Sequence, residues 1–444
     1  MVHACLYFMD KSVSICWLRR DLRLDDNAAL YHALRAGTPV LSLFIFDTNI
    51  LDQLHDRSDK RVQFIHQELV NIHHQLKALG STMLIRTGKP AEIWQDLIKE
   101  FDIKEVFTNH DFEPYARKRD PEIKAILDKH DIPFHTYKDH VIFEKSEVTK
   151  DDGLPYTVFT PYSRKWKAKL KPFYYKAYPT KKYFDHLYQA AKPFDTPSLE
   201  SIGFTASDFD YPPKVVKADI VKKYSDQRDF PAIAGTSKLG LHLRFGTLSV
   251  RKLLSYAVDK NQTFVNELIW RDFYQQILWH FPQVETQAFK KEYDLIEWLN
   301  DQSQFQKWCD GMTGYPLVDA GMRELNATGF MHNRVRMLTA SFLTKHLLID
   351  WRWGEAYFAE KLLDFDLAAN NGGWQWAAGS GTDAAPYFRI FSPAAQLAKF
   401  DPHLEYVKKW VPEFGTAHYP LPIVDHDKAR ARCLEAYKKA LKQE

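Results

Sequence analysis

Residues 40–46 of the chain are Val-Leu-Ser-Leu-Phe-Ile-Phe, a short run in which every residue but one is apolar. Such a run predicts a buried strand of a parallel sheet. Three shorter runs of the same kind occupy residues 14–18, 83–86 and 105–108. Apolar residues at helical spacing separate these runs, over residues 61–79, 91–101 and 114–130. Alternation of strands and helices at this spacing predicts a doubly wound α/β domain with a parallel sheet.

The turn after the first predicted strand carries charged residues instead of glycines. A dinucleotide-binding domain places the pattern G-x-G-x-x-G in this turn, where backbone amides meet the pyrophosphate. This chain has Arg19, Arg20, Asp21 and Arg23 there. We therefore expect this domain to hold any ligand in another way.

Two further regions follow the predicted α/β domain. From about Tyr137 to Pro213 the periodicity fades and Pro, Lys and Tyr accumulate, which is typical of a connector with some local structure. Beyond Asp219 apolar residues recur at helical spacing to the end of the chain. Predicted helices of this region lie at residues 249–258, 264–280, 317–326, 333–347 and 353–363. We expect an α/β domain over 1–136, a connector over 137–213 and an all-helical domain over 214–444.

One stretch of the connector fits two explanations. Residues 164–182 mix several lysines with Trp166, Phe173, Tyr174 and Tyr175. Basic residues interleaved with aromatic residues can bind nucleic acid. A solvated connector that its aromatic residues pin to the protein explains the same pattern, and we favour that explanation.

The composition excludes several classes of protein. The 444 residues exceed one ordinary core, and 45% hydrophobic with 26% charged residues is typical of a soluble globular protein. No apolar run approaches the roughly 18 residues that span a bilayer. Met1–Lys11 lacks the pattern of a secretion signal, so we expect a cytoplasmic protein of bacterial type, without a targeting signal or a membrane partner. The net charge of +3 decides nothing about DNA binding, because a local basic surface is enough.

The four cysteines, Cys5, Cys16, Cys309 and Cys433, are widely scattered and form no CxxC pair. This spacing predicts a reducing compartment, with neither a disulfide framework nor a structural zinc site. Aromatic residues reach 14%, and eight of the twelve tryptophans fall between Trp270 and Trp376. Most aromatic residues fill cores, but clustering in one stretch suggests an additional function.

Four segments of the helical region carry polar side chains in unusual combinations. Residues 235–240, Gly-Thr-Ser-Lys-Leu-Gly, place hydroxyl groups and glycines ahead of a helical stretch, which suits a phosphate or a plain helix cap. Just upstream, Tyr224 and Arg228 would share one face of a helix. In 266–271, Glu267 lies three and four residues before Trp270 and Arg271, a spacing that also fits an ordinary ion pair beside a core tryptophan.

The other two segments are richer. In 333–337 the side chains of Asn333 and Met337 share a face, while Arg334 and Arg336 are predicted to point elsewhere. Residues 364–376, Asp-Phe-Asp-Leu-Ala-Ala-Asn-Asn-Gly-Gly-Trp-Gln-Trp, make poor core and poor surface, and their small residues let another body approach the backbone. On a helix the two tryptophans would face nearly opposite directions. Neither a nucleophile–His–acid triad nor an HExxH metal site stands out, so a large bound cofactor is the better hypothesis.

These segments, taken together, resemble the photolyase/cryptochrome family. Residues 17–27, Trp-Leu-Arg-Arg-Asp-Leu-Arg-Leu-Asp-Asp-Asn, are similar to its opening motif. Later motifs of the family resemble residues 235–239, 266–271, 313–316, 331–334, 364–376 and 382–389, in the same order. The resemblance covers about residues 14–400 and is strongest to class I photolyases of cyclobutane pyrimidine dimers. It implies an N-terminal α/β domain, a connector and a helical domain that cradles FAD in a folded shape.

The resemblance also implies a set of FAD-binding residues. Tyr224 and 236–239 would hold the diphosphate and ribityl chain, and Gly240 stands where relatives usually carry serine. Residues 364–366 would line the isoalloxazine edge, Arg336 would pair with Asp364, and Asn370 would sit opposite flavin N5. The full implied set is Tyr224, Thr236, Ser237, Lys238, Leu239, Gly240, Phe264, Glu267, Arg336, Asp364, Phe365, Asp366 and Asn370.

A second implied set concerns the substrate, UV-damaged DNA that contains a cyclobutane pyrimidine dimer. The implied DNA-binding residues are Arg228, Glu267, Trp270, Arg271, Tyr274, Asn333, Arg334, Met337, Trp376, Gln396 and Lys399. Glu267, Asn333, Met337 and Asn370 would act at the reacting groups, and Trp374, Trp351 and Trp298 would form an electron-transfer chain to the surface. A dimer stacks and pairs badly, so flipping it out costs less than flipping a normal base.

The activity implied is that of a carbon–carbon lyase. Excited, fully reduced FAD (FADH⁻) would donate an electron to the flipped dimer, the ring would split, and the electron would return. The (6-4) photolyases carry a histidine pair where this chain has Asn333 and Met337, and we interpret His332 as structural. Plant-type cryptochromes usually replace Met337 and Asn370. The alternatives are a blue-light receptor that binds FAD and a protein partner without repair, and a passive binder of damaged DNA.

A second chromophore is left open by the sequence. Family members commonly carry a light-harvesting folate or deazaflavin in or beside the first domain. Tyr115 and Ala116 replace the Asn-Glu pair of folate-binding relatives, which argues against the same folate site. The resemblance further implies a monomer.

Overall fold

The computed structural model describes residues 12–441. The prediction for Met1–Lys11, including Cys5, therefore lies outside the described residues. The described chain divides into two compact units. The first contains the residues up to Ile142 together with Lys171–Lys214 and His242–Ser255, and the second contains Phe143–Leu170, Val215–Leu241 and the residues from Tyr256 onward.

The first unit contains a parallel sheet of five strands among the described residues. The strands are β1 Ser12–Leu18, β2 Val40–Asp47, β3 Met83–Gly88, β4 Asp102–Asn109 and β5 Phe134–Tyr137, in the order β3-β2-β1-β4-β5. Every residue of β2 is buried, which confirms the prediction of strands buried on both faces. The sequence missed β5 because its four residues, Phe-His-Thr-Tyr, are only partly buried and too short for a periodic signal.

Five helices connect these strands. They are α1 Ala28–Leu34, α2 Thr48–Leu51, α3 Lys60–Ala78, α4 Pro90–Glu100 and α5 Pro114–Asp128. Proline at the first position starts α4 and α5, and the side chain of Asn27 caps α1 by accepting from the amide of Leu30. The α/β fold class is confirmed.

The loops after β1 and β4 meet where the strand order reverses, the position at which open α/β sheets usually bind ligands. Here Arg19 pairs with Asp120 at 2.5 Å, and Arg20 pairs with Asp111 at 3.0 Å. The side chain of Asn109 donates to Asp21 at 2.6 Å. Charged side chains that bind one another thus occupy the place of a glycine-rich turn.

The predicted connector is divided by its packing. Residues Lys171–Lys214 pack with the first unit, where the amide of Tyr178 donates to Asp26 at 2.7 Å. Residues Phe143–Leu170 pack with the second unit, where the indole N–H of Trp166 donates to Asp272 at 3.0 Å. The predicted domain boundaries, between residues 136 and 137 and between residues 213 and 214, stay predictions.

The rest of the chain is mainly helical. Its helices are α6 Phe159–Lys169, α7 Ala218–Gln227, α8 Gly240–Arg244, α9 Val250–Ala257, α10 Gln262–His280, α11 Gln302–Cys309, α12 Pro316–Thr328, α13 Asn333–Ser341, α14 Trp351–Lys361, α15 Leu367–Ala378, α16 Pro393–Phe400, α17 Glu405–Trp410 and α18 His426–Leu441. Short 3₁₀ turns lie at Pro172–Tyr175, Thr180–His186, Glu200–Ile202, Pro282–Glu285 and Lys291–Leu295. The helix predicted at 333–347 is α13 followed by a π turn, Phe342–His346.

The core of the second unit is rich in aromatic side chains. Trp308, Trp351 and Trp374 are all buried in one cluster, together with side chains of α12, α13 and α15. The described cysteines, Cys16, Cys309 and Cys433, are buried free thiols. Within residues 12–441, no helix combines the length and the apolar content that crossing a bilayer requires.

Candidate functional site

An ion pair between α13 and the residues before α15 forms one wall of the candidate site. Arg336 donates to both carboxylate oxygens of Asp364, at 3.0 and 3.1 Å, and to the carbonyl of Met331 at 2.7 Å. The two charged side chains remain 24% and 19% exposed, so each can still reach a ligand. The structure thus contains the Arg336–Asp364 pair that the sequence predicted.

Asp366, two residues further along the chain, forms hydrogen bonds within the protein through both of its carboxylate oxygens. Its carboxylate caps α15 by accepting from the amide of Ala369 at 3.2 Å. Both of its oxygens also accept from the side-chain amide of Gln275, at 2.9 and 3.1 Å. Asp366 is buried, so its first role in the described structure is to fix the start of α15 against α10.

The predicted phosphate segment, residues 235–240, leads directly into α8 and approaches Asp364. A Cβ atom on Gly240 would lie 2.6 Å from Oδ2 of Asp364, so a side chain at this position would require Asp364 to shift. Lys238 has a left-handed backbone, with φ of 53°, and its ammonium lies 4.5 Å from the ring centre of Phe330. Thr236 and Ser237 are partly exposed, whereas Leu239 is buried.

A second ion pair joins α10 to the end of α7. Arg228 donates to the carboxylate of Glu267, and each side chain is 35% exposed. Beside this pair the ring of Tyr224 meets the ring of Phe264 edge-on, with centres 5.1 Å apart. Burial raises the pKa of Glu267 above its usual value, although the guanidinium of Arg228 opposes the shift. Glu267 is therefore protonated up to a higher pH than an ordinary surface glutamate.

The start of α13 brings the predicted substrate residues together. The side-chain amide of Asn333 lies 4.0 Å from the sulfur of Met337, one turn away. His332 is buried and caps the helix, because its Nδ1 accepts from the amide of Arg334 at 3.2 Å. This geometry supports the interpretation of His332 as structural.

The prediction that Arg334 points away from Met337 is wrong. Its guanidinium lies 4.0 Å from the sulfur of Met337, because residues three apart on a helix are neighbours. The same guanidinium pairs with Asp229 at 2.6 Å and lies 4.4 Å from the ring centre of Phe400. Asp229 gave no recognisable signal in the sequence.

The indole of Trp270 is partly exposed and lies in a stack of aromatic rings. The ring of Phe159 lies parallel to it, with centres 3.6 Å apart and planes 2° apart. Tyr274, one turn further along α10, lies 5.5 Å from Trp270 with an angle of 29° between the planes. Sequence reasoning missed Phe159, which precedes Trp270 by more than 100 residues and belongs to the predicted connector.

The paired glycines of α15 have different neighbours. A Cβ atom on Gly372 would lie closer than 3.0 Å to two ring carbons of Tyr274, so this glycine lets α15 approach α10. A Cβ atom on Gly373 would meet nothing within 4 Å. The group that approaches the backbone at Gly372 is therefore the ring of Tyr274, whereas the space beside Gly373 is open.

The two tryptophans of α15 face different surroundings, as the helical spacing predicted. Trp374 is buried against Phe358 and Trp308, with ring centres 5.0 and 6.0 Å away. Trp376 is partly exposed and lies 6.5 Å from Phe391. One ring thus belongs to the core and the other remains available at the surface.

The remaining two tryptophans of the predicted electron-transfer chain differ in exposure. Trp351 is buried, and the guanidinium of Arg352 lies 4.7 Å from its ring centre. Trp298 is partly exposed and meets the ring of Tyr437 edge-on at 6.1 Å. The order Trp374, Trp351, Trp298 therefore runs from buried side chains to a partly exposed one.

Asn370 is oriented by a carboxylate that sequence reasoning missed. Its side-chain N–H group donates to the carbonyl of Glu355 at 3.1 Å and to the Glu355 carboxylate at 2.8 Å. Burial raises the pKa of Glu355. Because the amide nitrogen is engaged, the amide oxygen of Asn370 can accept a hydrogen bond from a ligand.

The other predicted DNA-binding residues lie at the surface of the second unit. Arg271 and Gln396 are partly exposed, and Lys399 is exposed on α16. Phe365, predicted to line the flavin, is partly exposed as well. Among residues 12–441, no three His, Cys, Asp or Glu side chains are arranged to hold a metal ion.

Comparison with known proteins shows which family the chain is similar to. Residues 14–182 match the family model described as DNA photolyase, and residues 264–418 match the FAD binding domain of DNA photolyase. The deoxyribodipyrimidine photo-lyase of Vibrio cholerae is 36% identical over 471 residues, which cover 96% of this chain and 99% of that protein. The enzyme of the same name from Escherichia coli is 37% identical, with 96% and 99% covered. The chain belongs to the DNA photolyase family.

Solved photolyases have the same fold as this photolyase-family protein. The class III photolyase of Agrobacterium tumefaciens is similar with a TM-score of 0.87 and 33% identity, covering 99% of this chain and all of that one. The archaeal photolyase of Sulfolobus tokodaii, described with two FAD molecules, has a TM-score of 0.82 and 31% identity, with 96% and 100% covered. A Synechocystis cryptochrome, at 24% identity and a TM-score of 0.81, shares the fold, with 97% and 99% covered.

The residues of this photolyase-family site fit FAD. A diphosphate needs cations, hydroxyl groups and amides, which residues 236–240 supply next to Asp364. The polar edge of a flavin needs donors and acceptors, which the exposed parts of the Arg336–Asp364 pair supply. Gly373 lies three residues after Asn370, on the same side of α15, and leaves free the space that a Cβ would occupy.

Proposed function

We propose that this member of the DNA photolyase family repairs cyclobutane pyrimidine dimers in DNA when it absorbs light, with FAD bound to its helical unit. The observation that carries the choice of lesion is the Asn333–Met337 pair at 4.0 Å. The (6-4) photolyases carry histidines at these two positions, and the neighbouring His332 is buried as a helix cap. When bound in its fully reduced form, FAD supplies the excited-state electron that starts ring splitting.

Binding of the cofactor involves residues of three segments. Lys238 with Thr236 and Ser237 would hold the diphosphate, and Arg336 with Asp364 would hold the polar edge of the ring system. Asn370 would present its amide oxygen to the N–H group at flavin N5, because Glu355 accepts hydrogen bonds from its amide nitrogen. Open space beside Gly373 supports this placement.

The flipped dimer would bind between aromatic surfaces. Trp270 and Trp376 are both partly exposed and offer stacking faces, which contribute about 1–3 kcal/mol per base in single-strand binding. Glu267 lies one turn before Trp270 on α10, and its raised pKa favours a proton that can be donated to a pyrimidine carbonyl as negative charge develops there. Arg271, Arg334, Gln396 and Lys399 would contact the phosphates and position the strand.

The chain Trp374, Trp351 and Trp298 would carry an electron from the surface toward the cofactor when it has to be reduced. The gradient from buried to partly exposed indoles supports this direction. Repair itself has no net redox change, so we expect the chain to matter for activation and not for each turnover.

One experiment tests the proposal against both alternatives. Purified, photoreduced protein is mixed with an oligonucleotide that contains one thymine dimer, and dimer loss is measured by chromatography under blue light and in darkness. We expect loss only in light, and none from a matched oligonucleotide with a (6-4) photoproduct. Unrepaired dimers in light would instead indicate a receptor. Binding that needs no flavin, without repair, would indicate a passive binder.

A second pigment and the state in the cell belong to the same proposal. In the first unit the hydroxyl of Tyr115 donates to Asp47 at 2.5 Å, and Ala116 is buried, which supports the absence of the folate site of other relatives. We expect a deazaflavin or another pigment, if one binds, to appear as an additional band in the absorption spectrum of the purified protein. We also propose a cytoplasmic monomer, which size-exclusion chromatography with light scattering tests.

A further inference from the structure

Phe159 is the first residue of α6 and covers one face of Trp270. The two rings are nearly parallel, 2° apart, with centres separated by 3.6 Å. Phe273 meets both rings edge-on, at 5.6 Å from Trp270 and 5.8 Å from Phe159. The three rings form a unit in which the indole has one covered face, while part of Trp270 remains exposed.

The later residues of α6 hold Phe159 in place through their contacts with α10. Tyr162, one turn later, is buried and lies 5.3 Å from Phe273. Trp166, one further turn along, is fully buried and donates its indole N–H to Asp272 at 3.0 Å. The helix that carries Phe159 is therefore anchored to α10, the helix that carries Trp270.

A loop also fixes the start of α6. The amide of Phe159 donates to the carboxylate of Asp383 at 3.4 Å, a long hydrogen bond that places a negative charge at the positive end of the helix. Asp383 has a left-handed backbone, with φ of 50°, a conformation that aspartate adopts more readily than most residues. Phe159 thus sits where α6 and the loop after α15 meet.

These contacts restrict what Trp270 can do. An indole that is free on both sides can rotate, and a ligand that stacks on it has to stop that motion. With Phe159 on one face, the ring has a defined orientation, and a ligand that stacks on Trp270 has to use the opposite face. With centres 3.6 Å apart and planes 2° apart, the two rings lie almost directly face to face in van der Waals contact, so Phe159 buries that face of the indole.

We propose that Phe159 is a positioning residue for the substrate: it backs Trp270 so that the opposite face of the indole is already oriented to stack on the flipped pyrimidine dimer. This inference rests on the proposed function, because it assumes that Trp270 binds the dimer. It differs from a second possibility, in which Phe159 occupies the face that the dimer needs and has to leave. The two possibilities predict opposite effects when the ring is removed.

The test uses the variants Phe159→Ala and Phe159→Tyr of the full-length, flavin-loaded protein. Dissociation constants for a dimer-containing oligonucleotide are measured in darkness, and repair per absorbed photon is measured at saturating oligonucleotide. We expect Phe159→Ala to bind the dimer about three- to tenfold more weakly, with repair of the bound complex nearly unchanged. Phe159→Tyr keeps the flat ring and should bind like the original protein.

Two controls separate positioning from a general structural defect. Leu421→Ala truncates an apolar side chain that is 86% exposed and lies outside every segment assigned to binding, and should leave dimer binding unchanged. In a Trp270→Ala background, Phe159→Ala should have no further effect on dimer binding, because the face it orients is gone. Should Phe159→Ala fail to fold, as judged by circular dichroism, Phe159→Leu removes the flat ring while keeping apolar bulk, with the same expected loss.

Three results would overturn the inference. They are unchanged dimer binding by Phe159→Ala, tighter binding, which would make Phe159 a plug, and an equal loss of binding with or without Trp270. If the unmodified protein itself neither binds nor repairs dimers, the proposed function fails. If the unmodified protein repairs dimers and Phe159→Ala binds them equally well, only the role of Phe159 is refuted.

Discussion

The contact between Gly372 and Tyr274 allows the closest test of how α15 is docked on α10. In the variant Gly372→Ala, the new methyl group would lie closer than 3.0 Å to two carbons of the Tyr274 ring and 3.0 Å from a third. The rigid ring of Tyr274 cannot bend away from the methyl group as the end of a flexible side chain could. Tyr274 lies in the stack with Trp270, so a shift of its ring also disturbs the proposed substrate face.

The expected magnitude follows from two opposing effects. Forcing a methyl group into a packed contact costs about 1–3 kcal/mol. Replacing glycine by alanine inside a helix contributes up to about 1 kcal/mol in the other direction. We therefore expect Gly372→Ala to lower the free energy of unfolding by up to about 2 kcal/mol. In a Tyr274→Ala background the methyl group has room, so the same substitution should stabilise the protein by about 0.5–1 kcal/mol.

The assay is urea unfolding of the four proteins of this double-mutant cycle, followed by far-ultraviolet circular dichroism. The coupling energy between the two positions should be about 1–3 kcal/mol. Hydrogen exchange of the amides in α10 and α15 localises the change to these helices. The reasoning is refuted if Gly372→Ala destabilises the protein equally in both backgrounds, or if the coupling energy is zero.

Four further predictions concern the site. Arg336→Ala leaves the partly buried Asp364 carboxylate unpaired and should reduce the FAD retained per protein, measured by absorbance, whereas an unchanged ratio would contradict the fit described above. Because burial raises the pKa of Glu267, repair per photon should fall as pH rises through that pKa, and Glu267→Gln should give a flat profile. Burial lowers the pKa of His332 from 6.5 to about 4, so the folded state binds this proton only at a lower pH than the unfolded state does. The free energy of unfolding should therefore fall as the pH drops from 6.5 to about 4. His332→Ala should remove this pH dependence in acid unfolding, while losing the cap costs about 0.5–2 kcal/mol. Trp374→Phe should slow photoreduction of the oxidised protein at least tenfold while chemically reduced protein repairs normally, and equal loss of both activities would argue against a separate activation chain.

The amino-acid sequence alone determined the architecture of both parts of the chain. Short apolar runs such as 40–46, alternating with helical stretches, predict a parallel sheet covered on both faces. This prediction is confirmed, because the pattern that marks a strand or a helix is a local property of the sequence. The motifs from Trp17 to Arg389 indicated the family because their residues and their order can be read directly from the sequence, without knowing which residues are in contact. The Arg336–Asp364 pair came from that resemblance.

Only the tertiary structure decided which distant residues meet. Periodicity tells which side of an element is buried but not what covers it, so the partners Phe159 of Trp270, Glu355 of Asn370 and Asp229 of Arg334 could not be read from spacing. The same reason explains why residues 143–170, which look like a connector, pack with the helical unit. Partner choice depends on how whole elements pack against one another, and that is a property of the folded chain as a whole.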